Sequence, residues 1–520
     1  MTLASGTMAS RASGLLRTLV LAYVLGFSPL SDAYNLANTI PNSLYDLVLG
    51  GVVSASFVSI FVQRITLDGE RKAWRSISSV LTLSLIVLAL ASALAWIFAP
   101  QIVNAMTAFH HLDPSRPSAT LALQRDVTTT FLRWFAPQIF LYGLLSLGGV
   151  LLQIRHRFGA SSYAPILNNV VAIAVLWWFH VTVAAPTLEH SVHTSALMWL
   201  AAGTTAGLVV QFIALWPSLA TSNLGRVRFR LALRDEAVTG VLRLGGWTLL
   251  VVVTNQVALY VTLALAFGVG GNGPVTAYTY GWAFMQMPYG VIVASVLQAI
   301  TTDLVVLYTS DERHAYAERL MGAMRTSLRI VTPLAMVLVV LAQPVVALLL
   351  NRGDGSSTLE AGVVLAVLAM GLPGYTVFQI VVRGLQAQQR GRDIFGLYLF
   401  QNLFNITLAL LIGRHSLGAL IGTIAISYTV AAALAVGLMS VRNTPVVGLF
   451  TEGGMFRLVA VSVATAITVA VGYSLTTATS GFGLALRTGL ALLCGGPVLL
   501  FAYRKELRQS GRTPLVRGKV

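Results

Sequence analysis

The stretch ISSVLTLSLIVLALASALAWIFA, residues 77–99, contains no charged side chain and follows directly on Arg71, Lys72 and Arg75. About 20 such residues wound into a helix cross the hydrocarbon of a bilayer. Comparable runs recur near 11–29, 33–62, 128–151, 160–182, 195–217, 238–268, 275–308, 328–350, 360–386, 394–413, 416–440, 456–476 and 484–503. The chain has 520 residues, of which 56% are hydrophobic and only 10% charged, and its mean hydropathy is +0.78. A soluble protein carries about 25% charged residues. The outer surface must therefore face hydrocarbon, where helices satisfy their own backbone polar groups. These observations predict an all-α polytopic membrane protein of about fourteen transmembrane helices. Runs 33–62, 238–268 and 275–308 exceed a single span, which predicts tilt or protrusion.

The net charge of +16 is distributed by topology. Basic residues gather in alternate gaps: Arg64, Arg71, Lys72 and Arg75; Arg226, Arg228, Arg230, Arg234 and Arg243; Arg313, Arg319, Arg325 and Arg329. The tail adds Arg504, Lys505, Arg508, Arg512, Arg517 and Lys519, while gaps 26–32, 180–194 and 268–274 hold no Lys or Arg. By the positive-inside rule the basic gaps are cytoplasmic, and an even number of crossings puts both termini there. No basic stripe is interleaved with aromatics, which argues against a nucleic-acid partner. Cys494 is the single cysteine, so no intramolecular disulfide can form, and it reads as a small apolar packing residue. Residues 1–10 lack the charged start and cleavage site of a removable signal, so the first helix is expected to stay.

A weak internal repeat divides the chain. Leu152-Gln153 followed by Arg155, Arg157 and Asn169 resembles Leu385-Gln386 followed by Arg390 and Asn402. Pro41 and Pro288 occupy matching places in helices two and eight. The repeat predicts two pseudo-symmetric six-helix lobes, 1–217 and 218–440, with two further helices at 441–503 and a basic cytoplasmic tail at 504–520. Paired bundles around a midplane cavity suit alternating access.

Two helices are more polar than a lipid-facing span tolerates. Helix one holds Arg11 and Arg17, six residues apart, about 9 Å along the axis and about 120° apart in phase. Arg11 reads either as a positive-inside anchor or as a cavity cation. Arg17 lies too deep to snorkel easily and needs an anion, water or a partner such as Asp32 or Asp46. Guanidinium groups suit a diphosphate because they donate in a planar, bidentate fork and keep their charge. Helix two reads DAYNLANTIPNSLYD, residues 32–46. Asn35, Asn38, Asn42 and Asp46 recur at three- and four-residue spacing on one broad face, and Pro41 predicts a kink. Such a face lines an aqueous cavity or bonds to neighbouring helices.

Read together, Ser10-Arg11 through Arg17, Asp32-Ala33-Tyr34, Ile40-Pro41-Asn42 and Gly51 through Phe57 resemble the MviN/MurJ family of lipid II flippases. So do Leu152 through Phe158 with Ala164-Pro165 and Asn169, Leu350-Asn351-Arg352-Gly353, and Arg383 through Asp393. The resemblance implies a fourteen-helix exporter that moves undecaprenyl-diphosphate-linked peptidoglycan precursor between leaflets. It puts Arg11, Arg17, Asp32 and Asn42 at cavity positions and gives residues 441–503 a groove for the polyprenyl tail. With Asn38, Tyr45 and Asp46 these form the expected substrate-binding set. Departures from the family pattern are Tyr45 and Ala283 in place of arginines, Gly50 in place of an acid, and Ser59 and Thr302 in place of prolines. The expected cavity is accordingly less cationic, with Arg17 as its main phosphate ligand.

The remaining signals are spare. Asn255, Asn402 and Asn405 bring carbonyls without a carboxylate, which favours interhelical bonding over a sodium site. Asp303 reads as a solvated residue near a cytoplasmic helix end. His110 and His111 have no second ligand cluster, so no metal is expected, and no nucleotide motif is present. No cofactor and no catalytic residue is expected. Membrane lipids and cell-wall synthesis proteins are the expected partners beside lipid II or a similar polyprenyl-diphosphate lipid. Three other readings stay open: an exporter of another polyprenyl-linked saccharide, an exporter of drug cations, and a non-transporting cell-wall scaffold. A membrane glycosyltransferase would want a catalytic carboxylate by a large outer loop, and residues 100–127 offer only Asp113 and Asp126.

Overall fold

The computed structural model describes residues 2–49, 52–183, 187–189, 195–225, 227–232, 236–271, 273–350, 355–441, 454–475 and 481–510. Gly50, Gly51, Arg226, Arg234, the Asn351-Arg352-Gly353 signature and the tail residues Arg512, Arg517 and Lys519 lie outside them. Every regular element among the described residues is helical. They run α1 (Thr2–Leu25), α2 (Pro29–Leu49), α3 (Val52–Asp68), α4 (Glu70–Ile97), α5 (Ala99–Met106), α6 (Ser118–Phe135), α7 (Pro137–Ile154), α8 (Phe158–Thr182) and α9 (Ser195–Ala220). There follow α10 (Glu236–Gly268), α11 (Pro274–Pro288), α12 (Ala294–Thr309), α13 (Arg313–Leu350), α14 (Gly355–Ala387), α15 (Gly391–Leu411), α16 (Leu417–Val441), α17 (Gly454–Ser474) and α18 (Gly481–Ser510).

Twelve helical stretches among the described residues are long and apolar enough to cross a membrane. The last helix adds a shorter apolar stretch, Gly483–Val498. The polar α2 and the following α3 occupy the stretch where the sequence predicts the second crossing. Prolines explain why some crossings are two elements. Pro137 lacks the N–H that would continue the ladder, so the crossing Ser118–Ile154 is divided into α6 and α7. In helix eight Pro288 has the same effect. The helix passes through a π turn, Tyr289–Val293, before regular bonding resumes in α12.

Packing groups the chain into two bodies. One comprises Met1–Tyr280 with Gly391–Leu420, the other Gly281–Arg390 with Ile421–Val520. This grouping follows a different line from the lobes expected at 217 and 440, because α10 and α15 pack with the first body. The repeat itself is legible in backbone detail. After α7, the Arg157 N–H bonds Leu152 O at 2.8 Å, the His156 N–H bonds Gln153 O at 2.9 Å, and His156 is left-handed at φ 57°. After α14, the Arg390 N–H bonds Leu385 O at 3.0 Å, the Gln389 N–H bonds Gln386 O at 2.9 Å, and Gln389 has φ 57°. Both are Schellman caps, which satisfy carbonyls left open at a helix end. The repeated asparagines match as well. Asn169 donates to Ser13 Oγ of α1 at 2.9 Å, and Asn402 donates to Asn255 Oδ1 of α10 at 2.7 Å. Each therefore ties the helix after a cap to the helix that opens its repeat.

In the first body Phe57, Phe61, Trp74, Ile77 and Leu88 of α3 and α4 pack on Ile139 and Leu147 of α7. Gly143 permits that approach, since a methyl there would overlap Leu88. Lipid offers no hydrophobic drive between helices, so close fit and interhelical bonds hold them. Large apolar side chains point outward, among them Trp96, Val181, Trp199, Ile213 and Phe456, as a lipid-facing surface requires. Two further residues are placed by the helix contacts. Cys494 is exposed on α18 and packs against Gly472 of α17. Asp303 accepts from Arg319 at 2.6 and 3.0 Å, an ion pair joining α12 to α13.

Candidate functional site

The polar face of α2 divides into a locked first half and a more open second half. Asp32 is buried, and its Oδ1 accepts from the Thr276 backbone N–H at 2.8 Å and from the Thr276 hydroxyl at 2.7 Å. Thr276 lies in the first turn of α11, where backbone N–H groups have no helical acceptor, so Asp32 caps that helix from outside. Asn35, also buried, donates to Thr276 Oγ1 at 3.1 Å. These residues fasten α2 to α11. Asp32 stands fourteen residues before Asp46, about 21 Å along the helix, so the structure does not bring it to the second half.

Asn38, Asn42 and Tyr45 are half-buried, and Asp46 is exposed. The Asn42 amide turns back to Asn38 O at 3.0 Å. The Tyr45 ring lies 5.5 Å from Tyr142 of α7, and its hydroxyl bonds Ser146. Tyr260 of α10 bonds Ser43 of α2. The Asp46 charge reaches Tyr45, Tyr142 and Tyr260.

Arg17 enters this cluster from α1. Its side chain is half-buried, with no ion pair or hydrogen bond among the described residues, and its charge acts on the Tyr34 and Tyr142 hydroxyls. Tyr34 is held by Phe131 and Phe135, edge-on at 5.5 and 5.3 Å, and by Thr204 Oγ1 at 3.1 Å. Neither Asp32 nor Asp46 pairs with Arg17. The structure thus brings Tyr45, Arg17 and Asp46 within reach of Tyr142 and sets Tyr260 against Ser43, while Asn38 and Asn42 stand one to two turns earlier on α2. Arg11 is exposed nearer the start of α1, six residues before Arg17. Tyr142 and Tyr260 escaped the sequence reading because each is a lone tyrosine inside an apolar run.

A half-buried guanidinium with no counter-ion among the described residues, close to the Tyr34 and Tyr142 hydroxyls, is suited to an anion. A family profile described as "Lipid II flippase MurJ" matches residues 21–505. The chain belongs to the MurJ lipid II flippase family. A probable lipid II flippase MurJ of Rhizobium meliloti (strain 1021) is 26% identical over 421 residues, 79% of this chain and 74% of that one. The lipid II flippase MurJ of Burkholderia cenocepacia is 27% identical over 432 residues, 81% and 80% of the two chains.

Among solved structures, a lipid II flippase MurJ in an inward-closed conformation superposes with TM-score 0.76 at 19% identity, covering 97% of this chain and 99% of that one. An inward-facing MATE-family multidrug resistance transporter of the MOP superfamily gives 0.66 at 17% identity, over 85% and 96%. This MurJ-family chain therefore has the fold shared by those exporters. Tyr45 stands at the point of α2 where the sequence suggested a missing arginine. In the structure it is a ring partner of Tyr142, so the face around Arg17 is phenolic rather than cationic.

Proposed function

We propose that this chain translocates lipid II, the undecaprenyl-diphosphate-linked peptidoglycan precursor, across the cytoplasmic membrane by alternating access. Membership of the MurJ family supports the substrate, and the unpaired Arg17 supports the contact with its diphosphate. Arg17 would draw the diphosphate to α1, with Arg11 as an outlying cation near the interface. Asn38, Asn42, Tyr45 and Asp46 would meet the saccharide, and Asp32 would serve the same path by fixing α2 against α11. The lobes 1–217 and 218–440 would rock against each other, with residues 441–503 carrying the polyprenyl tail. Both termini face the cytoplasm in this reading, as the basic gaps require. The chain works as a transporter rather than an enzyme, needs no cofactor, and serves cell-wall synthesis proteins that use the flipped lipid. Membrane potential can drive a charged carrier without a dedicated ion site.

Depleting the protein should leave lipid II on the inner leaflet, inaccessible to an external probe. Unchanged outer-leaflet lipid II after depletion would reject the proposal. One observation favours a second reading: Asp46 is an exposed carboxylate without an ion pair among the described residues, as a drug-cation exporter would use. Increased drug sensitivity of a deletion strain with normal lipid II accessibility would select it.

A further inference from the structure

The second body contains a polar and aromatic stripe that the preceding reading leaves unused. On α14, Tyr375, Gln379 and Arg383 follow at intervals of four and so share one helix face. On α11 and the π turn, Trp282, Gln286 and Tyr289 are spaced four and three apart. The two rows meet. Trp282 packs on Tyr375 with ring centroids 6.1 Å apart, Tyr289 packs on it at 4.9 Å, and Gln286 Nε2 donates to the Tyr375 hydroxyl at 3.3 Å. Gln379 bonds the same hydroxyl. Tyr428 of α16 buttresses Tyr375 from behind at 4.9 Å, almost perpendicular.

Tyr375 is buried at the hub, whereas Trp282, Gln286, Tyr289 and Gln379 are half-buried and Arg383 is exposed. Arg383 donates to Gln386 Oε1 at 3.0 Å and meets no carboxylate among the described residues. Its charge reaches the Tyr289 hydroxyl. A stripe serving only as packing would be apolar and closed, whereas here half-buried amides and an exposed guanidinium with no carboxylate among the described residues interrupt the apolar surface. This one grades from rings through amides to a cation over eight residues of α14, about 12 Å.

We propose that Trp282, Gln286, Tyr289, Tyr375, Gln379 and Arg383 form a second binding site for a lipid-linked saccharide diphosphate. The aromatic faces would take the sugar ring, whose C–H face is apolar. The two amides would exchange hydrogen bonds with sugar hydroxyl or acetamido groups, having both donors and acceptors. The guanidinium would hold the diphosphate in a bidentate pair. This proposal rests on the flippase reading. It places a cation in the second body although Ala283 stands where the sequence suggested that one was missing.

The test uses the full chain in lipid nanodiscs and compares binding of lipid II with undecaprenyl diphosphate, which has the same anion and tail but no sugar. Trp282→Leu and Tyr289→Leu should each weaken lipid II about tenfold, as loss of an aromatic anchor does, with undecaprenyl diphosphate unaffected. Arg383→Ala should weaken both ligands about tenfold, and Arg383→Lys should recover part of the loss. A soluble nucleotide-linked sugar should not displace bound lipid II. Variants that bind both lipids like the wild type would overturn the site while leaving the flippase reading intact. Displacement by the soluble nucleotide sugar would overturn its assignment to a lipid headgroup. A wild-type chain that binds neither lipid would instead remove the flippase reading on which the site depends.

Discussion

At the scale of single residues, Arg17 has a charge with no counter-ion among the described residues, inside a membrane helix. Such a group costs several kcal/mol unless water or a ligand compensates it, and an anionic ligand would turn that cost into binding. Arg17→Ala should abolish complementation of a flippase-depleted strain while the protein still inserts and accumulates in the membrane. Arg17→Lys should retain partial function, because it keeps the charge but loses the bidentate fork. Normal growth on Arg17→Ala would sink the assignment. The residue types in this site were legible from the sequence, because arginine, asparagine and aspartate are conspicuous in an apolar helix. The tyrosines were not. Tyr142 and Tyr260 acquire their place only when α7 and α10 pack beside α2, and no local spacing encodes that.

The elements show how similar polar residues take different roles. Asp32 and Asp46 bracket one helix, and helical periodicity treats them alike. Packing separates them: Asp32 is sealed against the first turn of α11, and Asp46 is exposed. Asp32→Ala should therefore act first on stability. It removes a cap and leaves Thr276 without its acceptor, a loss of about 1–2 kcal/mol, to be read as a lower melting temperature in detergent. Asp32→Asn, which keeps an acceptor oxygen, should lose less. If Asp32→Ala melts like the wild type, the capping role is wrong. The helix boundaries were well marked by the sequence where proline or charge interrupts an apolar run. The π turn after Pro288 was not, since proline announces a break without specifying how the ladder resumes.

For the whole molecule, hydropathy already gave an all-α bundle of membrane-spanning helices, because a bilayer imposes that on any chain that crosses it, and charge predicts an orientation. They could not give the grouping of helices. That depends on which faces fit, and α10 and α15 turn out to pack with the first body. The orientation is open to direct measurement. A fluorescent protein fused after Val520 should fluoresce, and a phosphatase that works only outside the cytoplasm should be inactive there. The opposite pattern would invert the topology. The exposed Cys494 is also useful in practice. The thiol sits within the apolar stretch Gly483–Val498, so a small lipid-permeable thiol-reactive reporter would find one target in the whole chain, without a cysteine-free background having to be made first. Spectra from that single reporter, collected with and without lipid substrate, would follow the terminal helix pair in the otherwise native sequence.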